Sequence, residues 1–83
     1  MQIMKSQIET AAGEIAFTKG MREVAGRDRR EAAALRDEIC QVLDIGRSQF
    51  YNRQRGTTPP TPAERDVISR IFRRYKVSEP WGE

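Results

Sequence analysis

Three interruptions decide what this chain can fold into: Gly46, Gly56 and the run Thr57-Thr58-Pro59-Pro60-Thr61-Pro62. Glycine and proline are the strongest local breakers of regular structure, and here they isolate three stretches that each read as a helix. In the first, Arg29 to about Leu43, the residues Ala32, Leu35, Ile39, Val42 and Leu43 recur at three and four. That spacing predicts one buried stripe and one wet face. Asp28 is placed to cap this helix, and Glu31 follows at the distance of a capping box. The second helix, Arg47 to Arg55, lies between two glycines and has Phe50 as its large apolar anchor. The third runs from Pro62 to about Tyr75. Thr61-Pro62-Ala63-Glu64 supplies a threonine N-cap, a proline at the first helical position and a glutamate at the third. Val67, Ile68, Ile71, Phe72 and Tyr75 form its stripe, and Arg73, Arg74 and Lys76 sit where the helix dipole favours cations.

The first 27 residues are less regular. Ile8, Ala11, Ala12, Ile15 and Ala16 suit a helix over about 5–18, and Met21 and Val24 extend the stripe, but Gly13 and Gly20 weaken it by up to about 1 kcal/mol each. The tail Ser78–Glu83 is expected to fold back so that Trp81 covers the core. The expectation is an all-α fold, a small helical domain of four to five helices with a central helix-turn-helix. It divides into an N-terminal segment 1–27 that is partly helical and can serve in dimerisation, a core 28–77, and a tail 78–83.

With 83 residues, one small domain is all that fits, and it hides only about 60% of its unfolded surface. A deep cleft between domains is excluded. There is no histidine, and Cys40 is the single cysteine. A Cys/His zinc cluster, a Cys–His pair, a Ser-His-Asp triad and an internal disulfide all lack parts. Cys40 has acidic neighbours and no activator, so it reads as a small packing residue. No Gly-rich phosphate loop is present. Asp37/Glu38 and Glu64/Asp66 point in different directions from their helices. The chain is therefore expected not to be an enzyme, to need no cofactor and to bind no metal; no small-molecule ligand is indicated. No apolar run approaches the roughly 18 residues of a membrane span, and Met1–Ser6 lacks the apolar stretch of a signal peptide. A soluble, cytoplasmic protein with no membrane partner is the expectation.

The net charge is +3, and its location carries more than its size. No acidic residue occurs between Asp44 and Glu64, a gap that holds Arg47, Arg53 and Arg55, while the other 12 basic and 12 acidic residues cancel. The excess charge sits in one stretch, which is where function is to be sought.

In that stretch, Ile39-Cys40-Gln41-Val42-Leu43-Asp44-Ile45-Gly46-Arg47-Ser48-Gln49-Phe50-Tyr51-Asn52-Arg53-Gln54-Arg55-Gly56, a helix ends in a tight turn and a second begins at once. Ile39, Leu43, Ile45 and Phe50 line the inner face, with Cys40 at the close crossing. The segment resembles the helix-turn-helix of the Cro/repressor (lambda repressor-like) superfamily. Leu43, Ile45, Arg47-Ser48, Phe50, Arg55 and Gly56 stand in register with that family's pattern. Asp44 replaces its usual turn glycine, and Arg53 replaces an apolar residue.

The resemblance implies sequence-specific binding of double-stranded DNA by a transcriptional regulator of repressor type, nucleoid-associated, with helix 47–55 in the major groove. On a helical wheel with Phe50 inward, Ser48, Asn52 and Arg55 face outward, with Tyr51 and Arg47 on one flank and Gln49 on the other. Base contacts fall to Arg47, Ser48, Gln49 and Asn52. Arginine suits guanine, and asparagine or glutamine suits adenine. Tyr51, Arg53, Arg55, Thr57 and Thr58 suit the sugar-phosphate backbone, Arg53 by laying its alkyl stem on the core. One short helix reads few base pairs, so a homodimer on a two-fold site is implied. The alternative is a protein-interaction module that turns the same basic face to an acidic partner. A structured-RNA binder is a third reading, with Tyr51 alone as an aromatic platform.

Overall fold

The computed structural model describes residues 16–82, and its helices begin where local chemistry can cap them. They are α1 (Thr18–Arg27), α2 (Arg29–Leu43), α3 (Arg47–Arg55) and α4 (Pro62–Arg74), which make an all-α domain. Its one extended pairing among the described residues is a bridge between Phe17 and Gly82. At α4, Thr61 Oγ1 accepts from the Glu64 N–H at 3.2 Å and Glu64 Oε1 accepts from the Thr61 N–H at 3.0 Å, so the capping box closes. Asp28 caps α2 as expected, through the N–H of Arg30 at 2.7 Å rather than that of Glu31.

The helix ends are as specific as the starts. After α2, the Ile45 N–H reaches Cys40 O at 3.0 Å and the Asp44 N–H reaches Gln41 O at 3.3 Å, with Asp44 left-handed at φ 55°. After α4, Val77 reaches Phe72 O at 3.0 Å and Lys76 reaches Arg73 O at 2.9 Å, with Lys76 at φ 63°. Both are Schellman motifs, and in each the next residue, Ile45 or Val77, turns inward onto the core. Neither uses the glycine that such an end favours.

The helix expected over 5–18 falls mostly outside the described residues. Where it was to end, α1 starts: Phe17 is not helical, and Thr18 is the first residue of the helix. The glycine read as a weakness is a contact point instead. A Cβ on Gly20 would lie 2.6 Å from Pro80 Cβ and 2.9 Å from Phe72 Cε1, so only glycine lets α1 approach the tail this closely. The start of α1 has no side-chain cap. Its N–H groups are met by the returning tail, with Lys19 donating to Gly82 O and Gly20 to Pro80 O, each at 3.0 Å.

α2 packs on α1, α3 and α4. The core gathers Phe17, Val24, Leu35, Ile39, Phe50, Ile68, Ile71, Phe72 and Val77. Phe17 is its hub, with edge-to-face contacts to Phe50 at 5.6 Å, Phe72 at 6.0 Å and Trp81 at 5.7 Å. Trp81 folds back as expected; its Nε1 donates to Ser69 Oγ at 3.0 Å and the Arg65 guanidinium lies 4.4 Å over its ring. Phe17 and Val24, before residue 28, and Pro80, after residue 77, are buried with the rest of the core. Val42, assigned to the buried stripe, is 54% exposed. It shares the angular sector of Leu35 but stands in the last turn of α2, just before the chain bends away at Asp44.

Candidate nucleic-acid interface

The helix-turn-helix is built from α2, the turn Asp44-Ile45-Gly46 and α3. Ile39 and Phe50 are fully buried at its centre, and Leu43, Ile45 and Cys40 pack half-buried around them. Burial and the Asp37 carboxylate push the Cys40 thiol above its usual pKa, which suits a packing residue and disfavours the thiolate.

α3 is fixed at both ends by other parts of the chain. Gly46 precedes it in extended conformation, and Gly56 ends it at φ 80°, the left-handed region where glycine is at ease. Beyond that end, the Thr58 N–H reaches back to Asn52 O at 3.2 Å. The carbonyl of Gln54 accepts from the Phe17 N–H at 2.9 Å and from Thr18 Oγ1 at 3.3 Å. The hub of the core therefore also terminates the helix. On the side toward α4, Arg53 Nε and Nη2 meet the two Glu64 carboxylate oxygens at 3.3 and 3.4 Å. The Thr61 N–H, despite some opposing desolvation, and then Arg53 hold the Glu64 carboxyl below its ordinary pKa.

These contacts sort the nine residues singled out from the sequence. Arg47, Ser48, Tyr51, Arg55, Thr57 and Thr58 are exposed, and Asn52 is half-buried. Arg47 and Ser48 form the opening turn of α3, whose solvent side carries no carboxylate of its own. Asn52 Oδ1 accepts from Arg55 Nη2 at 3.0 Å, so two-point pairing of Asn52 with a base requires that bond to open. Gln49 folds back, its Oε1 accepting from the Gly46 N–H at 3.3 Å, and acts as a helix cap. Arg53 lies with its guanidinium on Glu64 and Gln49 O, part-buried between α3 and α4. It joins two helices instead of extending into solvent.

The sequence did not point to Arg36. Its guanidinium meets Asp37 Oδ1 at 3.2 Å and lines the same groove as Tyr51, which sets an arginine of α2 beside the flank of α3. The Tyr51 hydroxyl, against some desolvation, and then Asp37 raise its pKa further above neutrality. The signal was hidden because Arg36 has an acidic neighbour in the chain and so vanished from the charge count. Toward the end of α4, Arg70 pairs with Asp66 at 2.8 Å and Arg74 with Glu38.

Among the described residues no group of His, Cys, Asp and Glu is arranged to hold a metal ion, and no helix is long and apolar enough to cross a membrane. No family model, curated protein or solved structure matches this chain.

Proposed function

We propose that this chain binds double-stranded DNA in a sequence-selective manner, by laying the solvent face of α3 in the major groove, and that it acts as a repressor-type transcriptional regulator. The observation that carries the reading is the anchoring of α3. A helix of nine residues is too short to be stable alone, yet here it is held at both ends and by Phe50, while its free face keeps Arg47, Ser48, Tyr51, Asn52 and Arg55 without a carboxylate. A groove about 12 Å wide and walled by phosphates accepts such a face.

In this reading Arg47, Ser48 and Asn52 address bases, while Tyr51, Arg55, Thr57 and Thr58 address the sugar-phosphate backbone. Gln49 and Arg53 serve indirectly, by holding the start of α3 and its spacing from α4. One such helix spans few base pairs, so two copies on a two-fold site give the selectivity a regulator needs.

A binding selection from randomised duplexes tests this. Wild-type protein is expected to enrich a two-fold motif, and Asn52→Ala to lose preference at one position of each half-site, a discrimination worth roughly 1–3 kcal/mol. Recovery of the same motif, with the same preferences, by wild type and Asn52→Ala would contradict the role of Asn52. Recovery of no motif would contradict sequence-selective binding.

A further inference from the structure

A groove of about 450 Å³ opens between α1, the first half of α2 and α3. Its floor is apolar, formed by Met21, Ala25 and Ala32 over the fully buried Phe50. Its rim is cationic. Arg22 stands on α1, and Arg29 and Arg36 stand two helical turns apart on one face of α2. Among the described residues no aspartate or glutamate lines the groove, although the Arg36 guanidinium also meets Asp37 Oδ1 at 3.2 Å from outside it. Acidic residues that neighbour these arginines in sequence, Glu23, Asp28, Glu31 and Asp37, are all absent from its walls. The volume lies within the range of pockets that hold small organic molecules, roughly 300–1,000 Å³.

We propose that this groove is a binding site for an amphipathic anion, a small molecule with an aromatic or aliphatic body and a carboxylate, sulfonate or phosphate head. The two halves of the site set both halves of that description. Apolar floor left open to water favours a hydrocarbon body, and guanidinium groups at a rim hold an oxyanion through charge-assisted hydrogen bonds. A phosphate of a nucleic-acid backbone would use the arginines but leave the recess unfilled. Ala33, on the α2 wall, leaves space that a larger side chain would occupy. No contiguous stretch of sequence betrays the site, because its walls come from three helices. Tyr51 and Gln54 of α3 also line it, so an occupant would touch the helix proposed to read DNA.

The test uses the full chain and two fluorescent probes, 8-anilinonaphthalene-1-sulfonate and its neutral analogue N-phenyl-1-naphthylamine. The sulfonate is expected to bind saturably with one molecule per chain. In the double variant Arg29→Gln/Arg36→Gln its affinity is expected to fall about tenfold or more, with the neutral analogue changed less than about twofold. Ala33→Trp is expected to abolish binding of both, and thermal melts verify that each variant folds. Unsaturable binding by wild type, equal sulfonate affinity in the double variant, or full binding by a folded Ala33→Trp protein would each overturn the site. The double variant changes only exposed or rim side chains, so it stays informative if Ala33→Trp does not fold. Because the titration contains no DNA, its outcome is independent of the proposed duplex binding.

Discussion

Among the described residues, Asp44 and Lys76 occupy the two left-handed backbone positions held by non-glycine residues, at φ 55° and 63°. A side chain with a Cβ is disfavoured there, aspartate less than most. Glycine removes that penalty but adds freedom to the unfolded chain, and the balance favours it. Asp44→Gly and Lys76→Gly are each expected to stabilise the fold by about 0.5–1 kcal/mol, which raises Tm by several degrees in a domain of this size. Differential scanning calorimetry reads this directly. A fall in Tm for Asp44→Gly would mean that its carboxylate contributes more than its backbone costs.

Glu64 joins two tasks at one carboxylate, capping α4 and holding Arg53 of α3. Its pKa is lowered in the folded chain from the ordinary value near 4.5. A carboxyl depressed by folding contributes stability above its unfolded pKa, and that contribution is lost as pH falls through the folded value. Glu64→Gln keeps the capping geometry but not the charge. Its Tm is therefore expected below that of wild type at pH 6–8, with the gap closing below pH about 4.5. A gap that persists unchanged to pH 3 would show that the charge is not the source.

At the level of elements, legibility followed locality. The start of α4 could be read from Thr61-Pro62-Ala63-Glu64 because every group that closes the box lies within four residues. The helix-turn-helix was legible for the same reason: its turn, its breakers and its inward residues are contiguous. α1 was not, since its first N–H groups are met by carbonyls of Pro80 and Gly82 at the other end of the chain. Its glycine looked like a defect for the same reason. Gly20→Ala is expected to destabilise the domain by about 1–3 kcal/mol through overpacking against Pro80 and Phe72. In a free helix the same change would stabilise by about 1 kcal/mol, so the sign of the Tm shift separates the two environments.

The candidate site was legible only in part. Spacing along α3 set Ser48, Asn52 and Arg55 outward and Arg47 and Tyr51 on a flank, because a helical wheel is set by Phe50 alone; of these five, all but the half-buried Asn52 are exposed. It could not show that Gln49 would turn back to the Gly46 N–H, or that Arg53 would meet Glu64 from α4. Both outcomes depend on partners that a wheel leaves out. Arg36 escaped for a related reason, as its nearness to Tyr51 is a product of packing between α2 and α3.

For the whole molecule, one aromatic hub connects what the sequence divided. Phe17 touches Phe50 of α3, Phe72 of α4 and Trp81 of the tail, and its own N–H ends α3. The basic helix is thereby part of a single core rather than an appendage, and the net charge of +3 is displayed on a fixed frame. The internal pairing of Arg53, Arg70 and Arg74 also redistributes that charge. Among the described residues, the cations left without a carboxylate partner on α3 are Arg47 and Arg55, with Arg36, paired to Asp37, beside them on α2.

Fluorescence anisotropy of duplex DNA, titrated with the full chain over a range of salt concentrations, tests the central claim most directly. Each phosphate neutralised adds about 0.9 to the magnitude of the slope of log K against log salt. For contacts to roughly 3–5 phosphates the slope per bound chain is expected between about −2.7 and −4.5. Arg55→Ala should flatten it by about one unit and weaken all duplexes alike. Absence of duplex binding even at low salt, or an Arg55→Ala slope identical to wild type, would contradict the assignment of α3 to DNA.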